Sequence, residues 1–162
     1  MQDIINRLRA KKDDEGFTLI ELLVVVVIIG VLVAIAVPVY LNYREGAADK
    51  SAQSDVRGAI SAIEQFYTEN GNKYPAQKSQ KNISAATATM DITVTGATKP
   101  GKITLSDNTE LSFVPPATGS GYKICAHNSG GSPGADGWYL YDSSTGGSVK
   151  KAGKELTLTT CA

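Results

Sequence analysis

The sequence predicts an α+β fold in which one long N-terminal α-helix precedes a C-terminal antiparallel β-sheet of about four strands. Three observations predict it. The stretch Phe17–Val37 is almost wholly apolar and unbroken. From Arg44 to Glu69, apolar residues recur at three- and four-residue steps, which is the helical period. Beyond residue 109, short runs of alternating polarity are separated by turns rich in Gly, Pro and Ser. The 162 residues carry no formal net charge and are 42% hydrophobic, enough for one ordinary domain plus an appendage. The neutral balance gives no reason to expect a nucleic-acid binder driven by phosphate attraction.

The apolar segment reaches the roughly 20 residues needed to cross a bilayer. A soluble core helix that is apolar on every face would need a larger protein around it than this chain supplies. A cleaved secretory signal is a second reading, with Arg7, Arg9, Lys11 and Lys12 as its basic region and Ala34-Ile35-Ala36 as its cleavage site. Against it stand a run longer than the usual ~7–15 residues and an acid, Glu21, inside that run. The third reading is an uncleaved membrane helix whose cytoplasmic end is marked by the same four basic residues.

The junction Gly16-Phe17-Thr18-Leu19-Ile20-Glu21 resembles the processing site of type IV prepilins and the related pseudopilins of type II secretion. The resemblance continues through Leu22–Val37, with Gly30 and Pro38 at positions that family uses, and covers about the first third of the chain. It implies a leader, residues 1–16, longer than in many Gram-negative members. A prepilin peptidase and N-methyltransferase would cut after Gly16 and methylate the new amino terminus at Phe17. It further implies a homo-oligomeric helical filament, built from the cytoplasmic membrane by a membrane platform protein and assembly ATPases. The precursor would be single-pass with its N-terminus in the cytoplasm, and the assembled pilus would lie at the cell surface, serving adhesion, motility or DNA uptake. The surface, host or DNA ligand stays unspecified. A pseudopilin of a secretion or competence system is the alternative, and a secreted or membrane-anchored binding domain a further one.

Within that resemblance Glu21 acquires a reason. A bare carboxylate in lipid costs about 3 kcal/mol on insertion scales. Cleavage would leave a positive amine on Phe17, four residues before Glu21 and on the same helix face. In a filament core Glu21 would meet the Phe17 amine of a neighbouring subunit and set axial register, as single buried polar groups do in coiled coils. Pro38 removes an amide donor and clashes with the carbonyl of Ala34. Gly30 and the β-branched valines weaken the same stretch. A kink at Pro38 follows. In filaments of similar proteins, the stretch corresponding to Gly30–Pro38 unwinds.

The remaining elements follow in order. Residues 17–38 form the membrane and filament-core helix, and residues 39–70 its amphipathic continuation. In that continuation Ala48, Ala52, Val56, Ala59, Ile60, Ile63, Phe66 and Tyr67 lie on the inner stripe, with Lys50, Asp55, Arg57, Glu64 and Glu69 mostly elsewhere. Asn70-Gly71 stops the helix, with Gly71 the left-handed cap. A helix from Phe17 to about Asn70 would be roughly 80 Å long. Residues 71–108 read as a variable loop, with a short strand at Ile92–Thr95. Residues 109–162 hold the sheet, with strands at Glu110–Val114, Tyr122–His127, Trp138–Asp142 and Leu156–Thr160 and a short strand around Val149. One face of this meander should cover the helix and the other should face solvent.

The chain has two cysteines, Cys125 and Cys161. A zinc site needs about four ligands, and only His127 adds to the pair. The family resemblance implies that the cysteines are paired outside the membrane and bound the C-terminal region. Free buried thiols are the alternative. No nucleophile, zinc-hydrolase or phosphate-loop motif occurs, so neither an enzymatic activity nor a cofactor nor a metal is expected. His127 reads as a surface residue. Some pseudopilins bind calcium near the C-terminus, but Asp107, Asp136 and Asp142 lack EF-hand spacing. Trp138, Tyr139 and Tyr141 raise the question of a stacking surface for DNA or sugars. Strand alternation puts Trp138 and Leu140 on one face, which reads as core.

Overall fold

The computed structural model describes residues 17–117 and 121–162. It divides into two units, Met1–Tyr40 and Leu41–Ala162. Helix α1, Leu19–Glu69, supplies residues to both and includes Pro38 in its interior. The leader expected over residues 1–16, with Gly16, lies outside the described residues.

In the first unit, every described residue from Phe17 to Tyr40 is exposed. A helix that is apolar on all sides has no polar face to give to water. By length and composition α1 is able to cross a membrane.

In the second unit α1 changes character. Ala52, Val56, Ala59, Ile63 and Phe66 are buried, at the three- and four-residue steps seen in the sequence. Two carboxylates, Asp49 and Asp55, are buried on this side as well, although Asp55 was expected off the stripe. Their hydrogen bonds explain the placement. Asp49 accepts from the Ser132 N–H at 2.9 Å and the Ser132 hydroxyl at 2.7 Å. Asp55 accepts from the Ser106 N–H at 2.7 Å and hydroxyl at 2.8 Å. A carboxylate tolerates burial when its lone pairs are taken up in this way. The helix ends at Glu69; two residues on, Gly71 is left-handed with φ of 67°, and the Asn72 N–H returns to the Tyr67 carbonyl at 3.0 Å.

Among the described residues seven strands follow in two antiparallel sheets, where about four had been expected. They are β1 (Lys78–Lys81), β2 (Thr89–Ile92), β3 (Gly101–Thr104), β4 (Thr109–Val114), β5 (Lys123–Asn128), β6 (Tyr139–Asp142) and β7 (Lys150–Lys151). The larger sheet has the order β1-β4-β5-β6-β7, and β2 pairs only with β3. Three of these strands fall in the segment read as a loop. Strand β1 is the polar tetrapeptide Lys-Ser-Gln-Lys, with no apolar alternation to reveal it; it exists because it pairs with β4. The strand expected at Ile92–Thr95 lies three residues earlier, where Met90 and Ile92 alternate inward.

The inner face of the larger sheet carries Leu111, Phe113, Ile124, Ala126 and Tyr139, packed with the buried stripe of α1. The outer face does not face solvent as expected. It carries Cys125, Trp138 and Leu140, covered by Leu156, Leu158 and Cys161. The strand expected at Leu156–Thr160 is instead a turn, with the Cys161 N–H donating to the Thr157 carbonyl at 2.8 Å. The edge of β6 is already taken by β7, so the C-terminal segment lies over the sheet face. The Trp138/Leu140 pair therefore packs in this smaller outer cluster, and Tyr139 enters the main core.

Aromatic rings line one side of that core. Tyr74 and Tyr122 are 5.3 Å apart, and Tyr122 lies 5.7 Å from both Phe113 and Tyr141. The Tyr122 hydroxyl donates to Glu64 Oε1 at 2.6 Å. Burial, reinforced by that bond, pushes the Tyr122 phenol well above its ordinary value of about 10. Burial also raises Tyr74, next to the charge of Glu64, and Tyr139, next to that of Asp49. These phenols stay neutral in the fold but ionise near pH 10 once unfolded. Their stabilisation is thus complete below about pH 10 and is lost as the pH climbs through the folded values. Alkaline titration is expected to show these tyrosinates forming only together with loss of far-UV circular dichroism. Their ionisation at pH 10 in a folded chain would mean that they are solvated.

Candidate functional site

The residues singled out from the sequence fall into two groups, one in each unit. In the first unit Phe17 is 81% exposed. Helix α1 begins two residues on, and Thr18 and Glu21 close its first turn together. The Thr18 N–H donates to Glu21 Oε2 at 2.8 Å, and the Thr18 hydroxyl donates to the same oxygen at 2.7 Å. In return the Glu21 N–H donates to Thr18 Oγ1 at 3.3 Å. This reciprocal pattern is a capping box, which satisfies two of the amide groups that a helix N-terminus leaves without partners. The acid also sits where the helix dipole favours negative charge.

Glu21 was read as the partner of a Phe17 amine. In the uncleaved chain that nitrogen is a peptide nitrogen, and Thr18 satisfies the carboxylate instead. Thr18 is the residue that the sequence reading passed over. Its signal was present as the spacing Thr-x-x-Glu ahead of an apolar run. Gly30 and Pro38 both lie within α1, and the stretch between them is α-helical. At Gly30 an added Cβ would meet nothing within 4 Å, so no close packing in this structure requires the glycine.

In the second unit Cys125 and Cys161 form a disulfide with their Cα atoms 5.5 Å apart. Strand β5 turns Cys125 to the outer face, and the terminal turn brings Cys161 over it. The Cys161 backbone is left-handed, with φ of 49°. His127 stacks on Trp138 with ring centroids 4.2 Å apart, and its Nε2 lies 3.3 Å from Glu110 Oε2. Among the described residues no group of three His, Cys, Asp or Glu side chains is placed to hold a metal ion.

Residues 11–37 match the prokaryotic N-terminal methylation motif. The chain is 34% identical over 73 residues to a fimbrial protein of Neisseria meningitidis serogroup A, covering 45% of this chain and 42% of that one. It is 37% identical over 75 residues to fimbrial protein EcpC of Eikenella corrodens, covering 46% and 48%. It is also 37% identical over 65 residues to type II secretion system core protein G of Aeromonas hydrophila, covering 40% and 45%. The matched stretch thus spans a little under half the length of these relatives. No solved structure matches the chain. Over this N-terminal stretch the chain is similar to fimbrial proteins and to type II secretion core proteins, and it carries an N-terminal methylation motif.

Proposed function

We propose that this chain is the structural subunit of a type IV pilus, made as a prepilin and assembled through its N-terminal helix. The observation that carries this reading is the helix itself. It is apolar on every side and exposed from Phe17 to Tyr40, yet it opens on a carboxylate within a methylation motif. Such a segment needs two apolar surroundings in succession, first the bilayer and then packed helices of other subunits. Cleavage after Gly16 and methylation of Phe17 by a prepilin peptidase would free a positive amine beside Glu21. The carboxylate would then exchange its Thr18 bonds for the amine of a neighbouring subunit. Gly30 and Pro38 would give the helix the freedom to unwind locally in the filament. A platform protein and cytoplasmic ATPases would drive assembly from the cytoplasmic membrane to the cell surface, where adhesion, motility and DNA uptake are the candidate roles.

The similarity to secretion core protein G supports a second reading, a short pseudopilus of a type II secretion system. Intact mass and N-terminal sequence of protein from its native cells test the processing step. A start at N-methylated Phe17 is expected, and a start at Val37 would make this an ordinary secreted domain. Glu21→Ala is expected to abolish filaments seen by electron microscopy while the precursor still inserts in the membrane. Unchanged filaments would overturn the role given to this carboxylate. Long surface filaments in the parent would favour the pilus over the pseudopilus.

A further inference from the structure

We infer that the second unit carries a saccharide-binding cleft beside Trp138. A cavity of about 380 Å³ opens there, lined among others by His127, Ser129, Pro133, Trp138, Glu155 and Leu156. That volume lies in the range of small-ligand sites. The cleft is preformed. Buried Asp49 fixes one wall through both of its bonds to Ser132, and Asn128 Oδ1 accepts the Gly130 N–H at 2.9 Å. The connection between β5 and β6 is held so closely that side chains are excluded. A Cβ at Gly131 would lie 2.3 Å from Asp49 Oδ1, and one at Gly137 would lie 2.1 Å from the Ser132 carbonyl oxygen. Trp138 is held by its tilted contact with His127 and by partial burial against the cluster around the disulfide, and the rest of its surface lines the cleft. A site whose walls are already ordered loses little entropy on binding.

The unused groups of this cleft define the ligand. Among the described residues, neither the indole N–H of Trp138 nor the carboxylate of Glu155 is engaged by another protein group. One is a donor only and the other an acceptor only. Beside them lie the Ser129 hydroxyl, which donates to the Asn108 carbonyl at 3.5 Å and so has only its lone pairs to offer, and the apolar surface of Trp138, Pro133 and Leu156. A sugar ring answers all three features, because its hydroxyls donate and accept and its C–H face packs on aromatic surface. An anion would be repelled by Glu155, and a small cation would leave the indole N–H unpaired. The inference goes beyond filament assembly and does not depend on it, since the cleft lies within one subunit.

Trp138 is the only tryptophan in the chain, so its emission reads the cleft directly. The experiment titrates the full chain, in a zwitterionic detergent that carries no sugar headgroup, with the methyl glycosides of glucose, galactose, mannose, N-acetylglucosamine and N-acetylgalactosamine. A saturable change with at least one of them is expected, weakened about tenfold in Glu155→Gln by loss of a charge-assisted hydrogen bond. Glu155 is exposed, and unchanged circular dichroism of the variant would exclude misfolding. No saturable change with any glycoside would overturn the inference, as would undiminished binding by Glu155→Gln. Saturation by tetramethylammonium and by no glycoside would overturn it in favour of a cation site.

Discussion

Cys161→Ser is expected to destabilise the unit Leu41–Ala162 by about 3–4 kcal/mol, the loop-closure entropy restored to the unfolded chain. The bridge spans 36 residues, and both sulfur-bearing residues are buried. Its loss should also release the terminal segment from the outer face of the sheet, because little else holds that segment. Leu156 and partly buried Leu158 are its apolar contacts, with two hydrogen bonds to its carbonyls, from the Ser112 hydroxyl to Leu158 and from the Gln77 side-chain amide to Thr159 at 2.7 Å. Urea unfolding of the full chain in detergent, followed by Trp138 emission, checks both points. The midpoint should fall, and the native emission should shift to the red as Trp138 is uncovered. A loss below about 1 kcal/mol, with unshifted emission, would show that the leucines alone hold the segment and that the covalent link is incidental.

Phe66→Ala is expected to cost about 3–5 kcal/mol, the usual range for deleting a buried aromatic ring. Phe66 is the last large residue of the buried stripe on α1 and is 2% exposed. It packs where the β2–β3 hairpin meets the helix: a Cβ built on Gly101 would lie 3.1 Å from the Phe66 ring and 2.8 Å from Ile92. The ring thus fills a space from which a side chain at residue 101 is excluded. Removing it takes a ring from the core cluster that Met90, Ile92 and Ile103 share with the helix, so the small sheet should loosen first. Hydrogen exchange is expected to rise in β2 and β3 while β4 and β5 stay protected. Uniform loss of protection across both sheets would mean that the hairpin and the larger sheet unfold as one unit. An effect under about 1 kcal/mol would show that the site collapses around the smaller side chain.

Much of this molecule is legible in the sequence because two of its periods are strong. The apolar run and the stripe Ala52, Val56, Ala59, Ile63 and Phe66 announce α1 and its change of surroundings. The alternation in β4, β5 and β6 announces three strands, each within a residue or two of where it lies. What was missed has a common cause. Strand β1 contains no apolar residue, and its existence depends on β4 being there to pair with it. Leu156 and Leu158 alternate as a strand would, but they alternate over the face of a sheet whose edge is occupied. Asp49 and Asp55 look like solvated charges in a helical stripe until the loops carrying Ser132 and Ser106 arrive to bond them.

At the N-terminus the sequence by itself determined the candidate site. The Gly16-Phe17 junction, the acid at Glu21 and the uninterrupted apolar helix are local in the chain, and even the missed partner Thr18 lies within one helical turn of Glu21. In the second unit only the tertiary structure decided. The cleft beside Trp138 draws on β5, the following loop and the C-terminal segment, and its wall is pinned by Asp49 from a helix 83 residues before Ser132. Helix propensity and hydrophobic period act over a few residues and can be read in order. A buried carboxylate or a covered sheet face depends on which distant groups become neighbours, and that is settled only when the chain packs.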